Sequence, residues 1–206
     1  MNLNPKPGTI SVVLASASKT RSRILNDAGI KHICDPARID EAALKTVLKN
    51  QTAGVEMVAA ALAAAKASEV SSRSADAFVI GADQILECES RLFDKPPDPE
   101  AAGVTLKALR GRRHRLVSAV SVFRKNECVW RHLETPSLTM RDFSDSFIAR
   151  YIEDGVPEIL ESVGGYRLEG TGAQLFTGIE GNYFTILGLP LLALLDFLRK
   201  VGVAQE

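Results

Sequence analysis

Hydroxyl and basic side chains follow the first apolar segment of the chain. Residues 10–14 (ISVVL) are typical of a buried strand, and the segment 15–18 (ASAS) leads into a basic helix. A strand that ends at serines and continues as a helix brings hydroxyls and unpaired backbone N–H groups together, which suits phosphate. The residues concerned are Ser16, Ser18, Lys19, Arg21 and Arg23. An ordinary helix cap followed by solvated basic residues is the alternative.

A second group of charged residues lies at or near the ends of predicted elements. We expect Glu41 in a loop after the second strand, Lys66 in an alanine-rich helix, Asp83 at the end of a strand, and Lys95 before two prolines. Open α/β sheets bind ligands at the carboxyl ends of their strands. Carboxylates that hold a hard cation or orient water, with lysines beside the phosphates, are what metal-assisted phosphoanhydride hydrolysis needs. The alternative is a turn or cap residue for Asp83, and a solvated helix face or loop for Lys66 and Glu41.

Several common catalytic motifs are missing from the sequence. There is no G-x-x-x-x-G-K-[ST] segment and no G-x-S-x-G segment. Gly170-Thr171-Gly172 lacks the third glycine of a dinucleotide-binding turn, and His32, His114 and His132 lack metal-ligand spacing. We therefore expect the histidines to lie on the surface or in packed positions.

Composition limits the class of partner. Lysine plus arginine and aspartate plus glutamate number 25 each in 206 residues, so broad binding to nucleic acid or an anionic membrane is not expected. The three cysteines, Cys34, Cys88 and Cys128, show no C-x-x-C spacing and predict reduced, half-buried thiols. No apolar run is long enough to cross a membrane, so a cytoplasmic location is expected.

The order of the predicted elements indicates the fold class. Predicted helices are 18–29, 54–71, 100–110, 144–154 and 190–201. Predicted strands are 10–15, 32–36, 77–81, a hairpin of 85–87 and 91–93, 114–124 and 127–140. Strands that alternate with helices favour an α/β domain, and the adjacent last two strands add an antiparallel pair. We therefore expect an α/β fold with a mixed sheet and helices on both faces.

Many short motifs along the chain resemble those of the Maf family of nucleotide pyrophosphatases, which are also linked to inhibition of septum formation. Each motif is weak alone, but their common order, over essentially the whole chain, is specific. They are Ser16-x-Ser18-x-x-Arg21, Ile39-Asp40-Glu41, Ala65-Lys66-Ala67, Gly81-Ala82-Asp83, Asp94-Lys95-Pro96, Leu109-x-Gly111-x-x-His114, Gly165-Tyr166-x-x-Glu169-Gly170-x-Gly172, Glu180-Gly181-Asn182-Tyr183-Phe184 and Gly188-Leu189-Pro190-Leu191.

The resemblance implies one Maf/ITPase-like domain over residues 1–206, with two lobes around a deep nucleotide-binding cleft. It implies hydrolysis of a nucleoside triphosphate to monophosphate and pyrophosphate with Mg²⁺ or Mn²⁺, and it leaves a homodimer open. By motif position the catalytic residues would be Asp83, Glu41, Lys66 and Lys95, with Glu41 and Asp83 as the metal ligands. Substrate would be bound by Ser16, Arg21, Thr20, Gln84 and Glu169.

Departures from the usual motifs bear on the base. Lys19, Thr20 and Ser22 differ from the family's usual residues, whereas Gln84 and Glu169 resemble the branch associated with 7-methyl-GTP. A carboxylate can accept from both donors of a guanine edge, whereas the carbonyls of a pyrimidine would repel it. The expected substrate is therefore a modified nucleotide of the 7-methyl-GTP kind. A dTTP/UTP-type pyrophosphatase and a non-catalytic nucleotide-binding regulator of cell division are the alternatives.

Overall fold

The computed structural model describes residues 11–50 and 53–205. Over those residues the chain forms eight strands: β1 (Val12–Leu14), β2 (Ile33–Cys34), β3 (Phe78–Cys88), β4 (Arg91–Phe93), β5 (Arg113–Arg124), β6 (Glu127–Glu134), β7 (Ser137–Met140) and β8 (Phe176–Glu180). The α-helices over the same residues are α1 (Lys19–Asp27), α2 (Glu41–Asn50), α3 (Val55–Ser71), α4 (Pro99–Leu109), α5 (Asp145–Gly155), α6 (Tyr183–Ile186) and α7 (Leu191–Lys200). The expected first strand begins at residue 10, which lies outside the described residues.

The sheet is mixed, as expected for this α/β chain. Its strands hydrogen-bond in the order β2-β1-β3-β5-β7-β8, with β4 on β3 and β6 on β5. β1 pairs in parallel with β2 and β3, whereas the β3–β4, β5–β7 and β7–β8 pairs are antiparallel. The parallel register of β1 ends at Leu14 opposite Ile80, and Ala15 N–H donates to the Ile80 carbonyl.

The chain folds into two compact units. The first contains the described residues up to 83, Ala119–Leu133 and the described residues from 188 on. The second contains Gln84–Ser118 and Glu134–Leu187. Since β3 and β5 each run from one unit into the other, the boundaries fall inside these two strands.

Each unit has its own buried apolar cluster. In the first unit, a cluster from β1, β3 and α3 joins Val13, Ala67, Val70 and Val79. In the second, the buried cluster includes Leu86, Leu106, Leu116, Leu138 and Tyr166. Burial of this apolar surface is the main stabilising contribution in each unit.

Several element predictions are wrong in detail. Residues 127–140 form two strands rather than one because Thr135 and Pro136 interrupt the ladder, and proline has no N–H to donate. No element was predicted at α2, and none between residues 155 and 189, where the structure has a strand, β8, and a short helix, α6. The hairpin of β3 and β4 is confirmed, and its turn residues Glu89 and Ser90 both have positive φ. Cys88 is buried, but Cys34 and Cys128 are exposed rather than half-buried; all three thiols are free.

Candidate active site

Lys66 links two carboxylates in the first unit. Its Nζ lies 2.7 Å from Asp83 Oδ1 and 3.0 Å from Glu41 Oε1. The Lys66 and Asp83 side chains are 12% and 10% exposed, whereas Glu41 is 45% exposed. An ammonium shared by two carboxylates offsets their mutual repulsion. The structure therefore brings together three of the four residues predicted to be catalytic.

A close approach between α3 and β3 places Lys66 beside Asp83. A Cβ added at Gly81 would lie 2.6 Å from Ala67 N and would also collide with the Ala63 carbonyl oxygen. The helix therefore packs directly on the strand backbone. Ala63, Lys66 and Ala67 share one side of α3, while Gly81 and Asp83, two apart, share one face of β3. The small alanine side chains of α3 therefore allow this close approach to β3, in addition to favouring the helix.

The predicted location of Asp83 at a strand end is wrong, because β3 continues to Cys88. Asp83 lies three residues past the last parallel pair with β1, where the strand loses that neighbour. The apolar residues Ile85 and Leu86 continue the strand, and both are buried. The carboxylate therefore still lies near the carboxyl end of the parallel β1–β3 pair, where open α/β sheets bind their ligands.

Glu41 is also placed differently from the prediction. It is the first residue of α2 rather than part of a loop. Asp40 caps this helix, since its Oδ1 accepts from Ala43 N–H at 2.9 Å. An aspartate cap followed by a glutamate in the first turn is a standard helix start, so the sequence held this signal.

Arg21 braces the serine turn that precedes α1. Its Nη1 donates to Ala82 O at 2.9 Å and to Ser16 Oγ at 3.3 Å, and its Nε donates to Gly188 O at 2.8 Å. Ser16 Oγ also accepts from Ser18 N–H at 3.2 Å, and Ser18 Oγ caps the helix through Arg21 N–H. Burial lowers the pKa of the Arg21 guanidinium, while the Asp83 and Glu41 carboxylates act in the opposite direction. The backbone acceptors Ala82 and Gly188 had no sequence signal.

The basic residues of α1 do not converge on one point. Arg21 makes the contacts just described, whereas a different face of α1 borders a cavity of about 420 Å³. Residues four apart share a helix face and residues two apart do not, which explains the division. The cavity is lined by Ser16, Ala17, Ser18, Lys19, Ser22, Arg23, Asn26, Asp27 and Cys34. Thr20 lies between these two faces and is half-buried.

The remaining predicted residues belong to the second unit. Lys95 is exposed in the segment between β4 and α4. Gln84 donates from Nε2 to Ser118 Oγ at 2.7 Å and to the carbonyl oxygens of Thr185 and Ile186 at 3.0 and 3.2 Å. Since carbonyl oxygens only accept, the amide group must direct its NH₂ toward them. Ser118 and Thr185 are buried, and Thr185 in turn donates to Glu134.

Glu169 has an arginine partner that no motif of the sequence indicated. Arg167 Nε and Nη2 lie 3.3 and 3.2 Å from Glu169 Oε1. The only available signal was the spacing of two residues between opposite charges.

The carboxylate pair matches the donor chemistry of a hard cation. Mg²⁺ is commonly held by one or two carboxylates, with waters and substrate phosphates as the other ligands. Asp83 and Glu41 supply two carboxylates and already share one cation, the Lys66 ammonium. Over the described ranges no group of three or more histidine, cysteine, aspartate or glutamate side chains could hold a metal alone. The described helices include none with the length and apolar composition to cross a membrane.

Comparison with known proteins gives the family. A nucleoside triphosphate pyrophosphatase of Paramagnetospirillum magneticum is 49% identical over 190 residues, which cover 92% of this chain and 98% of the relative. A 7-methyl-GTP pyrophosphatase of Rhizobium meliloti is 47% identical over 191 residues, which cover 93% of this chain and 96% of the relative. A nucleoside triphosphate pyrophosphatase of Granulibacter bethesdensis is also 47% identical over 191 residues, which cover 93% of this chain and 97% of the relative. The sequence model of the Maf-like protein family matches residues 11–201, and the chain therefore belongs to that family.

Proposed function

We propose that this chain is a nucleoside triphosphate pyrophosphatase that hydrolyses its substrate to a nucleoside monophosphate and pyrophosphate. The observation that carries the proposal is the Lys66 ammonium held between Asp83 and Glu41, in a chain about half identical to curated pyrophosphatases. Binding alone would not require two carboxylates at this position. A regulator that binds nucleotides without turnover is therefore the weaker alternative.

The proposed reaction is attack by water at the α-phosphorus. The water oxygen forms a bond to the α-phosphorus, the bond to the bridging oxygen breaks, and pyrophosphate leaves with its electron pair. Asp83 orients the water and accepts its proton. Lys66 and Lys95 offset the charge that develops on the phosphates, and Ser16 and Arg21 bind phosphate oxygens. Thr20, the neighbour of Arg21 in α1, is proposed to bind the substrate together with Ser16 and Arg21.

A divalent cation, Mg²⁺ or Mn²⁺, is part of the proposal. Asp83 and Glu41 would hold it, and a cation bound there supplies Lewis-acid charge to the phosphate oxygens. The donor type and the partial exposure of Glu41 support this assignment.

We further propose a base of the 7-methylguanine kind. Gln84 and Glu169 support this choice, as does the Rhizobium meliloti relative, whose name gives 7-methyl-GTP as its substrate. Glu169 accepts from the donors of the guanine edge, and a base without those donors does not gain these hydrogen bonds. The alternative within the family is a preference for dTTP and UTP.

A substrate panel tests the activity. The purified chain is incubated with 7-methyl-GTP, GTP, dTTP and UTP, with Mg²⁺, with Mn²⁺ or with a chelator, and pyrophosphate and orthophosphate are measured separately. We expect pyrophosphate, not orthophosphate, and only with a divalent cation. Nucleotide binding without release of either product would favour the regulator, and orthophosphate would contradict attack at the α-phosphorus.

Asp83→Asn tests the catalytic carboxylate. The amide keeps the shape of the side chain but cannot accept a proton, so turnover is expected to fall about 10²-fold or more. Asp76→Asn is the matched control, since Asp76 is an exposed aspartate just before β3. Near-normal turnover by folded Asp83→Asn, verified by circular dichroism, would remove Asp83 from the chemistry.

A further inference from the structure

Arg167 and Glu169 form an ion pair in the second unit that no motif of the sequence assigned. Two nitrogens of the Arg167 guanidinium, Nε and Nη2, donate to the same Glu169 carboxylate oxygen, Oε1. The Glu169 side chain is 12% exposed and Arg167 is 29% exposed. The pair is therefore more sheltered from solvent screening than an ordinary surface ion pair.

The backbone that carries Arg167 is fixed on several sides. Arg167 N–H donates to the Tyr151 hydroxyl at 3.4 Å, and its carbonyl accepts from Gly170 N–H at 3.3 Å. A Cβ at Gly172 would lie 2.9 Å from the Arg167 carbonyl carbon, so the chain folds back closely on this residue. Neighbouring Tyr166 is buried in the apolar cluster. These contacts hold the backbone of Arg167 in a defined position, from which its side chain reaches Glu169. The ion pair is therefore part of the ordered structure of this loop.

The ion pair changes the electrostatic character of Glu169. A carboxylate alone attracts a cationic ring, and a guanidinium in contact with it cancels much of that attraction at a distance. Guanine and 7-methylguanine nucleotides present the same donor edge but differ by one positive charge on the ring. Discrimination between them is therefore sensitive to any charge beside Glu169.

We propose that Arg167 is a specificity-determining residue, which limits how strongly Glu169 prefers a cationic purine over a neutral one. The inference rests on the proposed function, namely that Glu169 faces the base of a nucleoside triphosphate. It does not require that Glu169 lack other contacts, because the comparison concerns the change when one positive charge is removed.

The test compares kcat/KM for 7-methyl-GTP and for GTP, measured by pyrophosphate release. Arg167→Met and Arg167→Gln remove the charge, Arg167→Lys keeps it, and Glu169→Gln removes the carboxylate charge. Arg112→Met is the matched control, since Arg112 pairs with Glu89 at an exposed position in the same unit. We expect the preference for 7-methyl-GTP to rise about threefold or more in Arg167→Met and Arg167→Gln. Arg167→Lys and Arg112→Met should stay within about twofold of wild type, on the same electrostatic argument.

The outcomes separate this inference from the function it rests on. A purely structural role for Arg167 lowers kcat/KM for both nucleotides together, so an unchanged or reduced preference in the charge-removing variants would overturn the proposal. Wild-type protein that releases no pyrophosphate from any nucleotide contradicts the proposed function itself. An active enzyme whose preference is unaffected by Glu169→Gln removes Glu169 from base recognition and overturns the proposal for Arg167 as well. Thermal unfolding of each variant verifies that it is folded.

Discussion

Lys66 determines, at the scale of single residues, how Glu41 and Asp83 can share one location. Two carboxylates close together repel each other, and the ammonium at 2.7 and 3.0 Å offsets that repulsion. Since the Lys66 and Asp83 side chains are nearly buried, loss of either partner would leave a poorly solvated charge. Substitutions in this cluster therefore need a folding control before any loss of activity is attributed to chemistry.

The proposed base preference also depends on individual residues. Glu169→Gln combined with Gln84→Thr is expected to shift activity toward dTTP and UTP, because an amide can pair with pyrimidine carbonyls that a carboxylate repels. The measurement is a side-by-side comparison of kcat/KM for 7-methyl-GTP, dTTP and UTP in wild type, both single variants and the double variant. Glu134→Gln, next to the Gln84 network but outside the proposed contacts, is the control.

Two results would contradict this prediction. Wild-type enzyme that hydrolyses dTTP as well as 7-methyl-GTP refutes the purine preference and leaves the pyrophosphatase assignment intact. A double variant that loses all activity in proportion to its stability points instead to the structural role of Gln84. The structure shows this role directly, since the Gln84 NH₂ group donates to Ser118 Oγ and to two backbone carbonyls of α6.

At the scale of elements, the packing of α3 on β3 positions Lys66 beside Asp83 in the proposed catalytic cluster. Gly81→Ala is expected to destabilise the protein by about 1–3 kcal/mol, because the added methyl meets backbone atoms that cannot rotate away. Any shift of α3 also moves Lys66 relative to Asp83, so activity should fall more than the folded fraction does. Chemical denaturation and pyrophosphate release measure the two effects.

Gly103→Ala is the matched control for the glycine prediction. Gly103 lies inside α4, and a Cβ there would meet only the flexible end of Ile152 at 3.4 Å. Alanine has the higher helix propensity, so this variant should be neutral or slightly stabilised. Equal stability of the two alanine variants would show that the contact at Gly81 is not tight.

The sequence predicted elements better than it predicted their junctions. Helix α4 lies where a helix at 100–110 was predicted, and it begins with an aspartate cap, Asp98, followed by Pro99. The extension of β3 past Asp83 was missed because aspartate is unfavourable in strands. In the structure, burial of the apolar strand residues before and after Asp83 overrides that preference. The whole of α2 was missed, although Asp40 and Glu41 signal its start.

For the candidate site, too, some residues were predicted from the sequence and some of their contacts were not. The motifs identified Glu41, Lys66 and Asp83, and the structure brings these three together. The backbone acceptors of Arg21 and the Ser118 partner of Gln84 could not be predicted, because a carbonyl oxygen has no residue type and a lone serine has no pattern. Arg167 was within reach of the sequence, but a pair of opposite charges two residues apart is too common to single out.

At the scale of the whole molecule, the buried histidine of the second unit couples stability to pH. His114 is 2% exposed, its Nε2 lies 2.8 Å from the Tyr166 hydroxyl, and within the described residues its Nδ1 has no hydrogen-bond partner. Burial lowers the pKa of His114 to about 4. The folded state therefore keeps this imidazole neutral where the unfolded chain binds a proton.

The sign and size of the pH effect follow from this difference. The contribution is complete above the unfolded value of 6.5 and is lost as the pH falls toward about 4. At about 1.4 kcal/mol per pH unit, the free energy of unfolding should fall by about 3 kcal/mol over that interval. Urea denaturation at several pH values measures it, and His114→Gln should remove most of the slope. His132→Gln, at a half-buried position in the first unit, is the control; an unchanged slope in His114→Gln would assign the effect elsewhere.

The balanced charge around Lys66 has a kinetic consequence. Asp83, Glu41, Lys66 and Arg21 sum to zero, and the whole chain has a formal net charge of zero. A site of this kind has no long-range field that would draw a polyanion from solution, so association should depend only weakly on ionic strength. A triphosphate that arrives with one divalent cation still carries net negative charge, but a site with no net charge attracts it only weakly at long range. Selection among nucleotides then takes place after encounter, through dissociation rates, rather than through the speed of capture.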